Sequence, residues 1–279
     1  ITFRFTELPT ELAFMVLKYA AQPTFDQAER YDRQNPYSSA LNLCLVSKSV
    51  RRAVLPELLH TVSLREPRNV KAFVQALLMQ EAYKEANNRD FKFDYASHVH
   101  RMWIKSPGDD LAPASERSRV ISLLTPVIFA APSLALGWTS VDLLVECLEH
   151  AWKSRPAILD GEEHPRPPWK TQTLTITLGI PISNTKWNSL TSTPQGSAFL
   201  ASIRRLSSAT YLYRDFTSPL PPTSSQDYSL PDWMKTAPLA SFTNLQTVIL
   251  PYPRTKGPIS IVGVTSRGID MHVEMLTFP

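Results

Sequence analysis

Residues 242–250 read Phe-Thr-Asn-Leu-Gln-Thr-Val-Ile-Leu, with apolar side chains at offsets 0, 3, 6 and 8. Because side chains alternate along a β-strand, the residues at offsets 6 and 8 share one face and the residue between them points the other way. The pattern therefore predicts a short strand that buries Val248 and Leu250 and turns Ile249 outward.

The same offsets recur at other places in the chain. The complete sets are Pro56, Leu59, Val62 and Leu64; Ala96, Val99, Met102 and Ile104; Ile128, Ala131, Leu134 and Leu136; and Ile203, Leu206, Ala209 and Tyr211. Leu174 with Ile176, and Leu276 with Phe278, supply the strand half alone. These offsets form the first part of a leucine-rich-repeat template.

Successive strand segments end 28 to 40 residues apart, and most of these spacings exceed the roughly 20–29 residues of regular leucine-rich repeats. The recurrence predicts an α/β fold in which residues 61–279 form an irregular leucine-rich-repeat-like solenoid, with long helices or loops between strands. An ordinary α/β domain is the alternative, because a four-point apolar template often matches by chance in a chain that is 43% hydrophobic.

Two of the intervening segments carry apolar residues at helical spacing. The stripes consist of Val70, Phe73, Val74, Leu77 and Leu78, and of Val141, Leu144, Val145, Leu148 and Trp152. Ser140 is a candidate N-cap for the second helix. Two proline-rich stretches, residues 155–169 and 219–238, are predicted to be surface loops.

Residues 1–60 have a wholly helical pattern. Pro9 suits the first turn of a first helix, because its missing N–H is not needed there. A polar stretch over residues 22–39 is predicted to be an inserted loop, after which Ser38 or Ser39 caps a second helix. A third helix follows, with Pro56 in its first turn or breaking it. The apolar positions of the three helices are Leu12, Val16, Leu17 and Ala20; Leu41, Leu45 and Val46; and Val54, Leu55, Leu58 and Leu59.

This N-terminal segment resembles the F-box family. The first helix of that family reads approximately Leu-Pro-x-Glu-Leu, and the matching residues here are Leu8, Pro9, Glu11 and Leu12, then Val16 and Leu17. A second family stretch resembling Leu-Val-Cys-Lys is matched by Leu45, Val46, Ser47 and Lys48, with Pro56 and Leu58 beyond it. With strand-like segments after the helices, the chain is similar to fungal F-box proteins that carry divergent leucine-rich-like repeats.

The resemblance implies a three-helix F-box over residues 1–60 that docks onto a Skp-type adaptor and, through it, a cullin scaffold. The implied adaptor-binding residues are Leu8, Pro9, Glu11, Leu12, Val16, Leu45, Val46 and Lys48. The chain would then be the substrate-receptor subunit of a ubiquitin ligase, cytoplasmic or nuclear, with no catalytic residues and no cofactor. The alternatives are interior packing of these residues, a stand-alone α/β enzyme, and a repeat scaffold without a ligase.

The outward strand positions of the C-terminal region are the predicted substrate-binding surface. By the repeat template they are Ser63, Trp103, Ala135, Thr175, Thr210, Ile249 and Thr277. Tryptophan and arginine dominate binding hot spots, so we expect the substrate to contact Arg101, Trp103, Lys105, Thr175 and Thr210. The cations favour an acidic or phosphorylated ligand. Alternatively, Trp103 packs beneath the helix that begins near Val70.

Composition narrows the function classes. The net charge is only +4 over 279 residues. So small an excess of basic residues disfavours a basic stripe that binds nucleic acid. Cys44 and Cys147 are too few to staple a secreted fold, and no apolar run approaches the roughly 18 residues of a membrane span. His98 and His100 would share one side of a strand, but a pair without a third ligand favours ordinary structural histidines over a metal site.

Overall fold

A computed structural model describes residues 8–25, 35–88, 91–108, 111–154, 167–177, 185–208, 228–229, 237–251, 261–262 and 272–276. In these ranges the α-helices are α1 (Thr10–Ala20), α2 (Ser38–Cys44), α3 (Lys48–His60), α4 (Pro67–Glu85), α5 (Ala114–Ala130), α6 (Val141–Lys153), α7 (Thr185–Thr191) and α8 (Pro194–Ser202). The strands are β1 (Thr61–Leu64), β2 (Arg101–Ile104), β3 (Ser133–Gly137), β4 (Thr173–Thr177), β5 (Arg205–Ser208), β6 (Tyr228–Ser229), β7 (Thr247–Pro251), β8 (Ile261–Val262) and β9 (His272–Leu276).

The main sheet of the described chain has seven parallel strands in the order β1-β2-β3-β4-β5-β7-β9, and β6 pairs with β8 separately. Strands that are neighbours in the main sheet therefore follow one another along the chain, apart from β6 and β8, which are paired separately. Parallel neighbours need a crossover connection, and α4, α5, α6 and the pair α7–α8 supply the connections from β1 to β5. The predicted mixed α/β class is confirmed.

One face of this sheet packs on the helices. The register partners Val62, Met102, Leu134, Leu174, Leu206 and Val248 form a continuous row across the sheet, and all are buried. The same hydrophobic core includes Val70 of α4, Leu124 of α5 and Leu144 of α6. Burial alternates along β2 and β4 as the apolar pattern predicted, and β3 departs from it only at its buried last residue, Gly137. In β1 the prediction fails at Ser63, which holds the outward position but is buried together with Val62 and Leu64.

The predicted register of β5 was wrong by three residues. Leu206, rather than Ala209, pairs with Leu174 and Val248. Leu200 and Ile203, which precede it, are fully buried. The offsets 0, 3 and 6 therefore fit Leu200, Ile203 and Leu206 as well as they fit Ile203, Leu206 and Ala209. The outward position of this strand belongs to Ser207, and Thr210 lies outside the described residues.

The predicted register of β9 was also wrong. Val273 pairs with Val248 and Met275 with Leu250, so Glu274 takes the outward position that was assigned to Thr277. The sequence offers two alternating pairs of apolar residues, Val273 with Met275 and Leu276 with Phe278. Pairing with β7 places the first pair on the same face as Val248 and Leu250. Thr277 lies outside the described residues.

Trp169 corrects the prediction of a surface loop over residues 155–169. Its side chain is 5% exposed, and its ring centroid lies 5.8 Å from that of Phe129, 5.6 Å from that of Phe199 and 6.2 Å from that of Trp152. Proline content reports local backbone preference, and it does not predict where the aromatic residue at the end of such a stretch packs.

Ser140 precedes α6 as predicted, but it does not cap the helix. Its buried hydroxyl instead donates to the carbonyl of Ile104 at 3.0 Å. The start of α6 is thereby tied to the end of β2, the neighbour of β3 in the sheet.

The three predicted N-terminal helices are present, and we call residues 8–60 the three-helix unit. Ser47 caps α3 by accepting a hydrogen bond from the N–H of Val50 at 3.2 Å. Pro56 lies inside α3, so the prediction that it occupies the first turn or breaks the helix was wrong. The unit has a small core of its own, in which Ala21, Ala40 and Val54 are buried.

Tyr37 joins the three-helix unit to the edge of the sheet. Its hydroxyl donates to the carbonyl of Thr61 at 2.8 Å and accepts the N–H of Ser63 at 2.7 Å. An edge strand presents unpaired backbone groups, and here one side chain satisfies two of them on β1. Burial raises the pKa of Tyr37 to about 12.

We expect Tyr37→Phe to lower the free energy of unfolding by about 1–3 kcal/mol, because two partly buried backbone groups lose their partner. Chemical denaturation of the purified chain measures the change. Tyr19→Phe is the matched control, since Tyr19 is exposed and the same atom is removed. Equal stability of the two variants would contradict the bridging role.

The raised pKa of Tyr37 also predicts a dependence on pH. Between the ordinary value of 10.0 and about 12, the unfolded chain loses a proton that the folded chain retains, so stability falls as pH rises. The stabilising contribution is complete below pH 10 and is lost towards 12. We expect the difference in unfolding free energy between the parent and Tyr37→Phe to shrink from about pH 9 to about pH 11. A constant difference would argue against the burial of this hydroxyl.

Candidate partner-binding surfaces

Large apolar side chains that face solvent are concentrated in the three-helix unit. Among the described residues they are Leu12, Met15, Val16, Tyr19, Leu41, Leu45, Val46 and Met79. All except Met79 lie between residues 12 and 46, and we call these seven the apolar surface of the three-helix unit. Exposed apolar patches of this kind mark sites of interaction with other molecules.

The apolar surface exists because α1 has more apolar residues than its neighbours cover. Leu12, Met15, Val16 and Tyr19 recur at the spacing that places residues on one side of a helix. Leu17 packs instead on the small core around Ala21, Ala40 and Val54. No residue of α1 is buried, so the helix carries an apolar stripe that the other described residues leave uncovered.

The second part of this surface follows α2. Leu45 and Val46 were predicted to continue the helix, but they form a turn after Cys44, where their N–H groups donate to the carbonyls of Asn42 and Leu43, both at 3.1 Å. Their side chains are 84% and 68% exposed. Because Ser47 starts α3 immediately afterwards, the turn is short and both side chains are held in solvent.

The predicted adaptor-binding residues are mostly exposed. These are Pro9, Glu11, Leu12, Val16, Leu45, Val46 and Lys48, whereas Leu8 is half-buried. Interior packing, the alternative for the exposed apolar residues, does not apply to this chain. Sequence reasoning did not assign Met15, Tyr19 or Leu41 to the surface, although helical spacing from Leu12 points to the first two.

The second candidate surface is the outward face of the sheet, opposite the helices. Arg101 and Lys105 are exposed, and Trp103 and Thr175 are half-buried. Trp103 does not pack beneath α4, whose buried residues Val70, Val74 and Leu77 belong to the core on the other face. The guanidinium of Arg65, which sequence reasoning did not single out, lies 4.9 Å from the centroid of the Trp103 ring.

The histidines and cysteines have structural surroundings. His98 and His100 precede β2 rather than lying on it; the His98 ring stacks on Phe93 at 4.6 Å and the His100 ring on His60 at 4.8 Å. Within the described ranges, no three His, Cys, Asp or Glu residues are grouped to hold a metal ion. Burial raises the pKa of Cys147 to about 12, so its thiol is not a poised nucleophile.

A cleft of about 390 Å³ lies beyond the carboxyl ends of β2 and β3, and it bears on the enzyme alternative. Its lining comprises Ser106, Pro107, Gly108, Leu111, Arg117, Thr139, Asp142 and Leu143. Two hydrogen bonds join Arg117 to Glu146, at 2.8 and 2.7 Å, and raise the pKa of Arg117, while Asp142 is paired with Lys186. The charged residues Arg117 and Asp142 of the cleft therefore take part in ion pairs that join α5 and α7 to α6.

No protein-family model, no curated protein and no solved structure matches the chain. None of the helices in the described ranges has the length and apolar character needed to cross a bilayer.

Polar replacements on the apolar surface should leave the fold intact. We expect Leu45→Glu to change the free energy of unfolding by less than about 0.5 kcal/mol, as at other exposed positions, and to reduce the fluorescence of a bound hydrophobic dye. Leu59→Ala is the contrast, because Leu59 is buried and such a truncation costs about 2–5 kcal/mol. Strong destabilisation by Leu45→Glu would show that the residue is packed.

Proposed function

We propose that this chain is the substrate-receptor subunit of a Skp–cullin–F-box ubiquitin ligase. In this proposal the three-helix unit is an F-box that binds a Skp-type adaptor, and the sequential parallel sheet with its helices is a divergent leucine-rich-repeat-like array that binds a protein substrate. A cytoplasmic or nuclear location follows from the same proposal.

The apolar surface of the three-helix unit carries the proposal. A unit whose own core is built around Ala21, Ala40 and Val54 leaves Leu12, Val16 and other large side chains in water. Covering each with a partner would contribute on the order of 1.5–3 kcal/mol before the costs of association. The exposed residues include Pro9, Glu11 and Leu12 of the Leu-Pro-x-Glu-Leu pattern, which supports a link between this surface and adaptor docking in the family.

The connection between the two parts suits a receptor that must orient its substrate. The helix α3 ends at His60 and β1 begins at Thr61, with no linker between them. Leu58 packs on both the small core and the main core, and Tyr37 bridges the same junction. A stiff junction holds a bound substrate at a defined position relative to the scaffold, which raises its effective concentration near a ubiquitin-loaded enzyme.

Co-purification with a recombinant Skp-type adaptor tests the proposal. We expect Leu12→Glu combined with Leu45→Glu to weaken adaptor binding by roughly tenfold or more, because charges would be buried without partners. These positions are preferable to Leu8 and Pro9, which adjoin the start of α1. Met79→Glu is the control, since Met79 is as exposed as Leu12 but lies on α4.

Failure of the parent chain to bind the adaptor would overturn the proposal and favour a repeat scaffold without a ligase. Undiminished binding by the double variant would place the adaptor elsewhere on the chain. Circular dichroism of each variant confirms that the fold is retained.

A further inference from the structure

The outward face of the sheet is cationic at one end and carries few charges elsewhere. Along β1 to β7 its register positions are Thr61, Ser63, Arg101, Trp103, Ser133, Ala135, Gly137, Thr173, Thr175, Thr177, Arg205, Ser207, Thr247, Ile249 and Pro251. Arg65 and Lys105 follow β1 and β2 in the same alternation. In these described strands no aspartate or glutamate occupies the face before Glu274 of β9.

Three cations surround one aromatic side chain in this region. Arg101 and Lys105 flank Trp103 on β2, about 7 Å from it along the strand at the usual rise per residue, and Arg65 lies over its ring at 4.9 Å. All three cations are exposed, and no described carboxylate forms an ion pair with them. We call Ser63, Arg65, Arg101, Trp103 and Lys105 the cationic corner.

Two polar atoms of this corner are buried without a partner in the described structure. They are the hydroxyl of Ser63, a residue that is only 9% exposed, and the Nε1–H of Trp103. Ser63 and Trp103 are register partners on β1 and β2, so the two groups belong to neighbouring side chains on one face. An unsatisfied buried donor costs about 1–3 kcal/mol, and both of these groups lie beside the three exposed cations.

We propose that the cationic corner binds an anionic side chain, a carboxylate or a phosphate, on an extended segment of a protein partner. The contact with the Trp103 ring holds the guanidinium of Arg65 in this corner, and an exposed guanidinium can give two parallel hydrogen bonds to such a group. Small and hydroxyl-bearing residues on β3 and β4 leave room for the neighbouring backbone of the segment.

The distribution of cations on the outward face of the sheet favours a protein segment as the ligand over a polyanion such as a nucleic acid. The three cations cover only β1 and β2, and the next cation on the face is Arg205 of β5. A nucleic acid or a membrane surface needs a continuous basic track, whereas one anionic side chain needs only a local group of donors. The inference rests on the proposed function only in making the segment part of a ubiquitination substrate.

Fluorescence anisotropy of the full chain tests this inference with three labelled pools of degenerate peptides. The pools differ only in a fixed central residue, which is phosphoserine, glutamate or serine, and exclude Asp and Glu elsewhere. We expect the phosphoserine or the glutamate pool to bind, the stronger of the two identifying the anion, and the serine pool to bind at least roughly tenfold more weakly.

Arg65→Gln with Lys105→Gln should abolish this preference, whereas Arg68→Gln should preserve it. Arg68 is an exposed neighbour whose guanidinium pairs with Glu66 at 2.5 Å at the start of α4, away from the sheet face. Equal binding of all three pools, or an unchanged preference in the double variant, would overturn the inference. So would tighter binding of a single-stranded RNA or of anionic vesicles than of either anionic pool.

The adaptor assay separates this inference from the proposed function. The Arg65→Gln, Lys105→Gln variant should co-purify with the adaptor as the parent does, since neither residue lies in the three-helix unit. Retained adaptor binding with no anion preference in the parent would overturn the inference alone. Loss of adaptor binding by the parent with the preference intact would overturn the proposed function alone.

Discussion

The in-register row of apolar side chains from Val62 to Val248 is the constraint on which the other features depend. Because successive parallel strands pair at matching positions, every connection must cross over the same sheet. The helices of those connections share one core with the row. The opposite face of the sheet is consequently left without a layer of described helices, and its polar side chains can meet a partner.

A second constraint acts where the sheet begins. Among the described strands none lies before β1, and the hydroxyl of Tyr37 pairs with its backbone at Thr61 and Ser63. With α3 running directly into β1, the three-helix unit is attached to the sheet by a covalent junction and by a hydrogen-bonded one. Its own apolar surface remains exposed.

The two surfaces differ in the physics by which they would bind. On the three-helix unit, exposed leucine, valine and aromatic side chains present apolar surface area, and a partner that shields this area from water would be bound by the hydrophobic effect. On the sheet, a tryptophan and three cations offer directional and charged contacts, which suit recognition of one anionic group.

The sequence by itself determined the local elements: the helical stripes of α4 and α6, the alternation of β2 to β4, and the three N-terminal helices. These depend on side-chain periodicity, which neighbouring residues specify. Much of the candidate site was also predictable, since Leu12, Val16, Leu45, Arg101 and Trp103 were assigned from motif and alternation. The tertiary structure alone decided the phase of β5, the burial of Trp169, the bridge made by Tyr37 and the contact of Arg65 with Trp103. Each of these joins residues far apart in the chain, and the periodicity of neighbouring residues does not specify such contacts.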